Sequence, residues 1–408
     1  MTVPAADKLS RIAALRPALA PGARTAGAQA SEQLLALLGG EGVQDPMGGH
    51  IRVQRRLSHP PPGEMESRTL QLIAPGLADS LCDCRQWLFL DTETTGLAGG
   101  SGTYAFLVGL GWWDADGFVV EQHFMRNHGE EPSLLLGVAE HLARRQVLVT
   151  FNGKSFDWPL LQTRFQMTRA GKVQGPAAHL DLLYPARQLW RLSLQSVALS
   201  RLEKHVLNMD RGRDIPSESI PQRYFDFLRG GPAEPIAEVF RHNEMDLAGL
   251  ASLALRINEV LADPESGSCG AAELFGISRM LQRRGDEDLA GRIYQKALDG
   301  GLPQAAEQLA RRELALLAKR DRNYELSNAL WEKLLDDSAA GLQAYEQLAI
   351  YYEHRAGLPQ KAAELSREAL VKLQQAFRDG RIPASKYRQW HASLHHRLAR
   401  LAVKTAVP

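Results

Sequence analysis

Only three cysteines occur in the 408 residues, and two of them, Cys82 and Cys84, are separated by a single residue. Three thiols cannot build a disulfide framework, and the pair lacks the two-residue gap of a zinc knuckle, so ordinary reduced thiols are expected. Long hydrophobic runs are absent as well. No segment reaches the ~18 uninterrupted apolar residues of a spanning helix, and Asp7, Lys8, Arg11 and Pro17 interrupt the N-terminal stretch before a secretory core accumulates. A cytoplasmic location with no membrane partner is the expectation. Neither sign of charge dominates: 48 Lys+Arg face 47 Asp+Glu, a formal net charge of +1. Nothing therefore pulls the whole chain toward nucleic acid, and any polyanion site has to be local.

The chain is too long for one ordinary core, since domains usually run to about 100–200 residues. Residues 1–84 mix a short helical pattern over Ser31 to Leu38, a break at Gly39-Gly40 and a stop at His59-Pro60-Pro61-Pro62. They read as an irregular N-terminal extension. From Trp87 onward, WLFLDTETTG, TYAFLVGLGWW, FVVEQHF and QVLVTFNG are apolar or alternating runs of strand length. Helical patterns follow in PSLLLGVAEHLARR, FDWPLLQTRFQ, LSLQSVALSRLEKHVL and VFRHNEMDLAGLASLALRINEVL. Three strands in a meander, then strands alternating with helices, predict an α/β domain with a mixed sheet flanked by helices over residues 85–262.

Beyond the linker-like Asp263-Pro264-Glu265-Ser266-Gly267-Ser268 the chain becomes rich in Ala, Leu, Glu and Arg. Within residues 270–408, Gly285, Ala290 and Leu298 superimpose on Gly357, Ala362 and Leu370, with Leu334 closing a helix pair midway, which makes a period of 36 residues. That is close to the ~34 of tetratricopeptide repeats, whose paired helices stack because one pair cannot bury its own apolar face.

Three short blocks carry the chemistry. Asp91 and Glu93 stand two apart at the end of an apolar strand, so both carboxylates project from one face of the sheet. Such a pair either ends a strand at a polar turn or shares a divalent cation of the Mg²⁺ or Mn²⁺ type. In VLVTFNGKSFDWPLL an Asn-Gly turn leads into a helix with Asp157 in its first turn, where a carboxylate also serves simply to complement the helix dipole. In RHNEMDLAGLASLAL, His242 and Asp246 are four apart on one face of a helix. Leu247, Leu250, Leu253 and Leu255 continue it as a largely buried helix, in which a bare carboxylate needs a cation or hydrogen-bond donors.

The order strand-DxE, then FNGxxFD, then HNxxD on a late helix resembles the DEDD exonucleases of the ribonuclease H-like superfamily. DTETTGLAGGSGTYAFLVGLG, HLDLLYPARQLWR and HNEMDLAGLASL look like the YprB-type ribonuclease H-like proteins, a bacterial group often carrying tetratricopeptide-like repeats after the nuclease domain. The likeness covers roughly residues 85–262. It implies that Asp91, Glu93, Asp157 and Asp246 hold two divalent cations, Mg²⁺ or Mn²⁺, which together hydrolyse phosphodiester bonds. His242 would accept the proton of the attacking water. The four-residue spacing from His242 to Asp246 departs from the five of the histidine-type enzymes and matches the tyrosine-type ones, which leaves His242 open between base and structural histidine.

For the substrate, a single-stranded DNA or RNA end, the flexible run with Gly99, Gly100 and Thr103 follows Thr92 and the first motif, and Tyr104 is placed to stack a base. A tight hairpin turn explains the same run. Asn152 and Lys154 flank the second motif where a phosphate could lie, or are a turn former and a solvated lysine. From Arg164 to Arg213 nine basic residues, Arg187 among them, face three acids, which marks this segment as the phosphate-backbone track or as an ordinary solvated surface. Asp181 reads most simply as a helix cap. The alternatives to an exonuclease are an endonuclease of related fold and a non-catalytic module that grips nucleic acid while its helical repeats recruit a protein partner.

Overall fold

The computed structural model describes residues 21–58, 64–96, 102–168, 170, 175–336 and 341–406. The Gly99 and Gly100 of the loop and the His59-Pro62 stop lie outside those residues. The chain divides into two compact units, one of residues 1–187 and 194–262, the other of residues 188–193 and 263–408.

The first unit is built on a seven-stranded mixed sheet in the order β1-β2-β5-β4-β3-β6-β7. Strands β3 (Trp87–Thr94), β4 (Ala105–Trp113) and β5 (Phe118–Phe124) form the expected antiparallel meander, and β6 (Val147–Thr150) and β7 (Ala178–Asp181) add to β3 in parallel. Every residue of β4 and β5 is buried, so the centre of the sheet is covered on both faces. The covering helices identify themselves by alternation along β5. Gln122 points to one side and donates to the carbonyl of Phe240 and the side chain of Asn243 in α8 (Glu234–Ala262), while Glu121 and His123 point the other way, toward α3 (Glu131–Arg144). Buried Arg164 of α4 (Asp157–Thr168) makes a bidentate pair with Glu131 at 2.5 Å, tying α4 to α3.

Two sequence expectations need correction. The N-terminal segment is not irregular throughout: β1 (Glu41–Asp45) and β2 (Gly48–Leu57) complete the sheet, with β2 pairing antiparallel to β5. Ile51 and Val53 bury while Arg52 and Arg56 remain outside as salt-bridge partners of Glu41 and Asp114. Helix α1 (Pro21–Leu38) precedes them, ends at a left-handed Gly39, and α2 (Ser67–Ile73) follows. The helix expected over LSLQSVALSRLEKHVL is confined to α6 (Leu199–His205), after α5 (Leu183–Trp190). Ser193 and Ser196 spend their hydroxyls on the Trp190 carbonyl and the Ala198 N–H, the local competition that keeps serine-rich stretches out of helices. Helix α7 (Ile220–Leu228) packs on α8.

The second unit is helical: α9 (Ala271–Arg283), α10 (Glu287–Asp299), α11 (Gln304–Arg320), α12 (Tyr324–Glu332), α13 (Gly341–His354), α14 (Pro359–Arg378) and α15 (Ala384–Ala406). Helices α9 and α10, α11 and α12, and α13 and α14 pack as hairpins. Each hairpin turns at a left-handed residue, Gly285, Arg322 or Gly357, and Asp286 and Asn323 cap the second helix of the first two. Ala290, Leu334 and Ala362 of the periodic pattern are fully buried. No helix among the described residues is long and apolar enough to cross a membrane.

Candidate metal centre

Asp91 and Glu93 project from the end of β3 where its pairing with β4 shifts register after Glu93. Asp157 opens α4 directly behind the β6 turn, and Asp246 comes from α8 as that helix crosses β3 and β4. The fold thus brings all four acids to one place. Burial pushes the Asp91 carboxyl far above the usual range, and the charges of Asp246, Glu93 and Asp157 push it further. Glu93 is pushed up to about 8 by burial, then by Asp246 and Asp157. Asp157 rises to about 6 through burial, moderated by a hydroxyl hydrogen bond of 2.5 Å from Thr92. Thr92, expected to touch substrate, is instead engaged in holding Asp157.

The supporting groups decide what the pocket can hold. Among the described residues, Asp91, Glu93 and Asp157 make no ion pair with lysine or arginine; the donors they meet are neutral, Thr92 to Asp157 and Asn243 to Asp91 Oδ2 at 2.7 Å. Asn243 is itself fixed by Gln122, 2.9 Å away. The approach of β4 to α8 is close enough here that a Cβ on Gly109 would fall 2.1 Å from Asn243 Oδ1. Arg211 serves Asp246 alone among the four, and also pairs with Glu203 and, at 3.0 Å, with Asp214. Glu93 is buried and Asp91 and Asp157 are half-buried; carboxylates so placed without a counter-charge are costly unless cations join them, and an all-oxygen donor set suits Mg²⁺ or Mn²⁺. The donor set therefore suits a hard divalent cation.

His242 lies beside this cluster. Its Nδ1 sits 2.7 Å from Asp214 Oδ1, its Nε2 3.5 Å from Asp246 Oδ2 and 3.4 Å from Ser217 Oγ. Glu93, His242 and Asp246 present ligand atoms within 4.8 Å of one another. Facing a carboxylate, Nδ1 carries the hydrogen, an assignment from the hydrogen-bond network, and Nε2 is left with its lone pair toward the acids. The sequence did not single out Asp214 or Asn243, and Arg211 and Glu203 stood there only as members of the basic segment from Arg164 to Arg213. Asn243 stood inside the HNxxD block and was legible there; Asp214 and Arg211 lie on a connecting loop with no spacing to betray them.

The expected substrate residues scatter. Asn152 takes a left-handed conformation (φ 65°) and, with Lys154, donates its backbone N–H to Asp181, at 2.7 and 3.1 Å. Asp181 also accepts from Leu183, so the expected cap additionally pins the turn that delivers Asp157. The Lys154 side chain lines a cleft of about 350 Å³ with His179 and Tyr184. Thr103 is buried. Tyr104 is not free to stack a base, because its ring stacks on His128 at 4.4 Å and carries the Arg164 guanidinium 4.0 Å away. Arg164 and Arg211 are likewise committed to internal acids, which thins the expected basic track. Arg187 is exposed on α5, with no contact to the acid cluster. An unforeseen aromatic, Phe156, is 54% exposed immediately before Asp157.

Comparison with known proteins agrees with this geometry. Residues 88–258 match the family model described as the RNase_H superfamily. The chain is 31% identical over 319 residues to a Bacillus subtilis (strain 168) protein named "Uncharacterized protein YprB", covering 78% of this chain and 74% of that one. With the mixed sheet, its flanking helices and the four converging acids, the chain belongs to the YprB-type proteins of the ribonuclease H superfamily, whose chemistry supports a metal-dependent nucleic-acid hydrolase.

Proposed function

We propose that this protein is a DEDD-type 3′–5′ exonuclease acting on single-stranded DNA or RNA, followed by tetratricopeptide-like repeats. The observation that carries the reading is the pooling of Asp91, Glu93, Asp157 and Asp246 in one largely buried cluster where, among the described residues, three of them have no lysine or arginine partner. These four would hold two Mg²⁺ or Mn²⁺ ions. When bound, the ions supply activation of water and neutralisation of charge developing on the phosphoryl oxygens.

The chain's own residues do the rest. Asp214 holds the His242 ring so that Nε2 faces the acids and accepts the proton of the attacking water, as a general base oriented by a carboxylate does. Arg211 keeps Asp246 from swinging away by anchoring one of its oxygens. Asn243 does the same for Asp91, and Thr92 for Asp157. Lys154 offers a cation to the backbone of the bound strand, and Phe156 a flat exposed ring to its bases, the task expected of Tyr104.

The experiment uses single-stranded DNA and RNA oligonucleotides labelled at one end. A 3′–5′ exonuclease turns 5′-labelled substrate into a ladder shortening stepwise and releases 3′ label at once as mononucleotide. Internal fragments from the first minutes would make it an endonuclease. Binding without cleavage under any divalent ion would favour a scaffold that recruits a partner through the helical repeats.

A further inference from the structure

A second cluster of ligating side chains lies on the opposite face of the sheet from the acids. Glu121 and His123 of β5 and His141 of α3 are all buried, and their donor atoms lie within 4.8 Å of one another. Glu121 Oε1 is 3.0 Å from His123 Nε2 and 2.8 Å from His141 Nε2. The line continues through His123 Nδ1 to His50 Nε2 at 2.9 Å, His50 Nδ1 to Ser133 Oγ at 2.7 Å, and Ser133 Oγ to Asp45 Oδ2 at 2.5 Å.

Each of these five contacts needs one positive centre between its two heavy atoms. The hydrogens on hand are four: one on the Ser133 hydroxyl and one on each of three neutral imidazoles, the two carboxylates bringing none. The shortfall can be located. Ser133 donates to Asp45, so His50 must donate from Nδ1 and accept at Nε2, which obliges His123 to donate from Nδ1. His123 Nε2 is then a bare lone pair aimed at a carboxylate oxygen, and that nitrogen is buried with no hydrogen-bond partner. Two lone pairs 3.0 Å apart in a dry interior repel, and a cation between them removes the repulsion.

We propose that Glu121, His123 and His141 form a zinc-binding site that fastens β5 to α3, separate from the hydrolytic centre. Two imidazoles and one carboxylate are a donor set that Zn²⁺ accepts with a water as the fourth ligand of its tetrahedron, with bonds of about 2.0–2.2 Å, and that Mg²⁺ does not favour. Its donors would spread by a few tenths of an ångström on loading. The outer contacts are in place: His50 orients His123, as ligand imidazoles require. The backbone is fitted to the site too, because a Cβ on Gly137 of α3 would lie 2.7 Å from His123 Cε1. One group opposes loading, Arg145, whose Nη1 is 3.4 Å from His141 Nδ1, and it must turn away for that nitrogen to keep its hydrogen.

The test is metal content. Full-length protein loaded with Zn²⁺ and exhaustively buffer-exchanged, which removes loosely held ions, is analysed by mass spectrometry beside His141→Gln and beside Asp91→Ala/Glu93→Ala. The expected result is about one zinc per chain in the wild type and the acid-site double variant, and a loss of roughly tenfold or more in His141→Gln. Should His141→Gln not fold, Co²⁺ is titrated into wild-type protein, where the visible bands of tetrahedral Co²⁺ are expected. No retained zinc, zinc lost only with the acids, or Co²⁺ without those bands would each overturn the proposal.

Discussion

Replacing Gly109 by alanine tests how tightly the acid pocket is built. The added Cβ would stand 2.1 Å from Asn243 Oδ1 and 2.8 Å from its Cγ and Nδ2, distances that no real packing tolerates, so the amide has to leave. Asn243 is fully buried and its amide serves both Asp91 Oδ2 at 2.7 Å and Gln122 Nε2 at 2.9 Å. Overpacking costs about 1–3 kcal/mol and each buried polar group left without its partner about 1–3 more, so a loss near 3–5 kcal/mol is expected. For a unit of this size that is a fall in Tm of roughly 10 °C. Calorimetric melts in EDTA read the effect. Because the clash is with one side chain, the same substitution in an Asn243→Ala background should cost less than about 1 kcal/mol, a double-mutant cycle with strong coupling. An equal cost in both backgrounds, or a Gly109→Ala protein as stable as wild type, would refute the steric argument.

Other consequences follow from the same geometry. Glu93, pushed up to about 8, and Asp157, to about 6, bind protons more tightly folded than unfolded. Without metal, stability should therefore rise as pH falls from about 8 toward 4.5 and level off below the unfolded value, and melts of Glu93→Gln should show a shallower rise. Metal affinity runs the opposite way, since bound ions require ionised acids, so Mn²⁺ calorimetry should show tighter binding at pH 8 than at pH 6. Asp214→Asn should lower kcat by about 100-fold and alter the pH–rate profile, with Mn²⁺ affinity nearly unchanged, because it releases the His242 ring but not the four acids. Phe156→Ala should raise KM for single strands by roughly tenfold with little change in kcat, the worth of about one stacked base. Equal kinetics would assign that ring to packing alone.

The parts of the fold and site that were legible in the sequence are those fixed by local pattern. The meander and α8 follow from alternation and helical period, and Asp91 and Glu93 share a face because strand geometry puts residues two apart on one side. Residues set by tertiary approach were not legible. Tyr104 looked free beside a glycine-rich loop, yet Arg164, 60 positions later, covers its ring. Asp214 and Arg211 acquire their roles only because their loop meets α8. β2 was passed over because its outward Arg52, Gln54 and Arg56 mask an Ile51, Val53 alternation that pairs with β5 from the far side of a long connection. His50, His123, Ser133 and His141 share no motif at all, and only the packing of α3 on the sheet joins them.

The proposed function turns on whether the pooled carboxylates act on nucleic acid through a bound divalent ion. It is tested most directly by stripping the protein of divalent metal, mixing it in excess with a labelled single-stranded oligonucleotide, and following cleavage as Mn²⁺ is restored, beside Asp91→Ala/Glu93→Ala. No cleavage is expected before Mn²⁺, then cleavage that saturates with it, while the double variant stays folded but inactive at every Mn²⁺ concentration. Cleavage in the absence of divalent ions, or undiminished cleavage by the double variant, would contradict it.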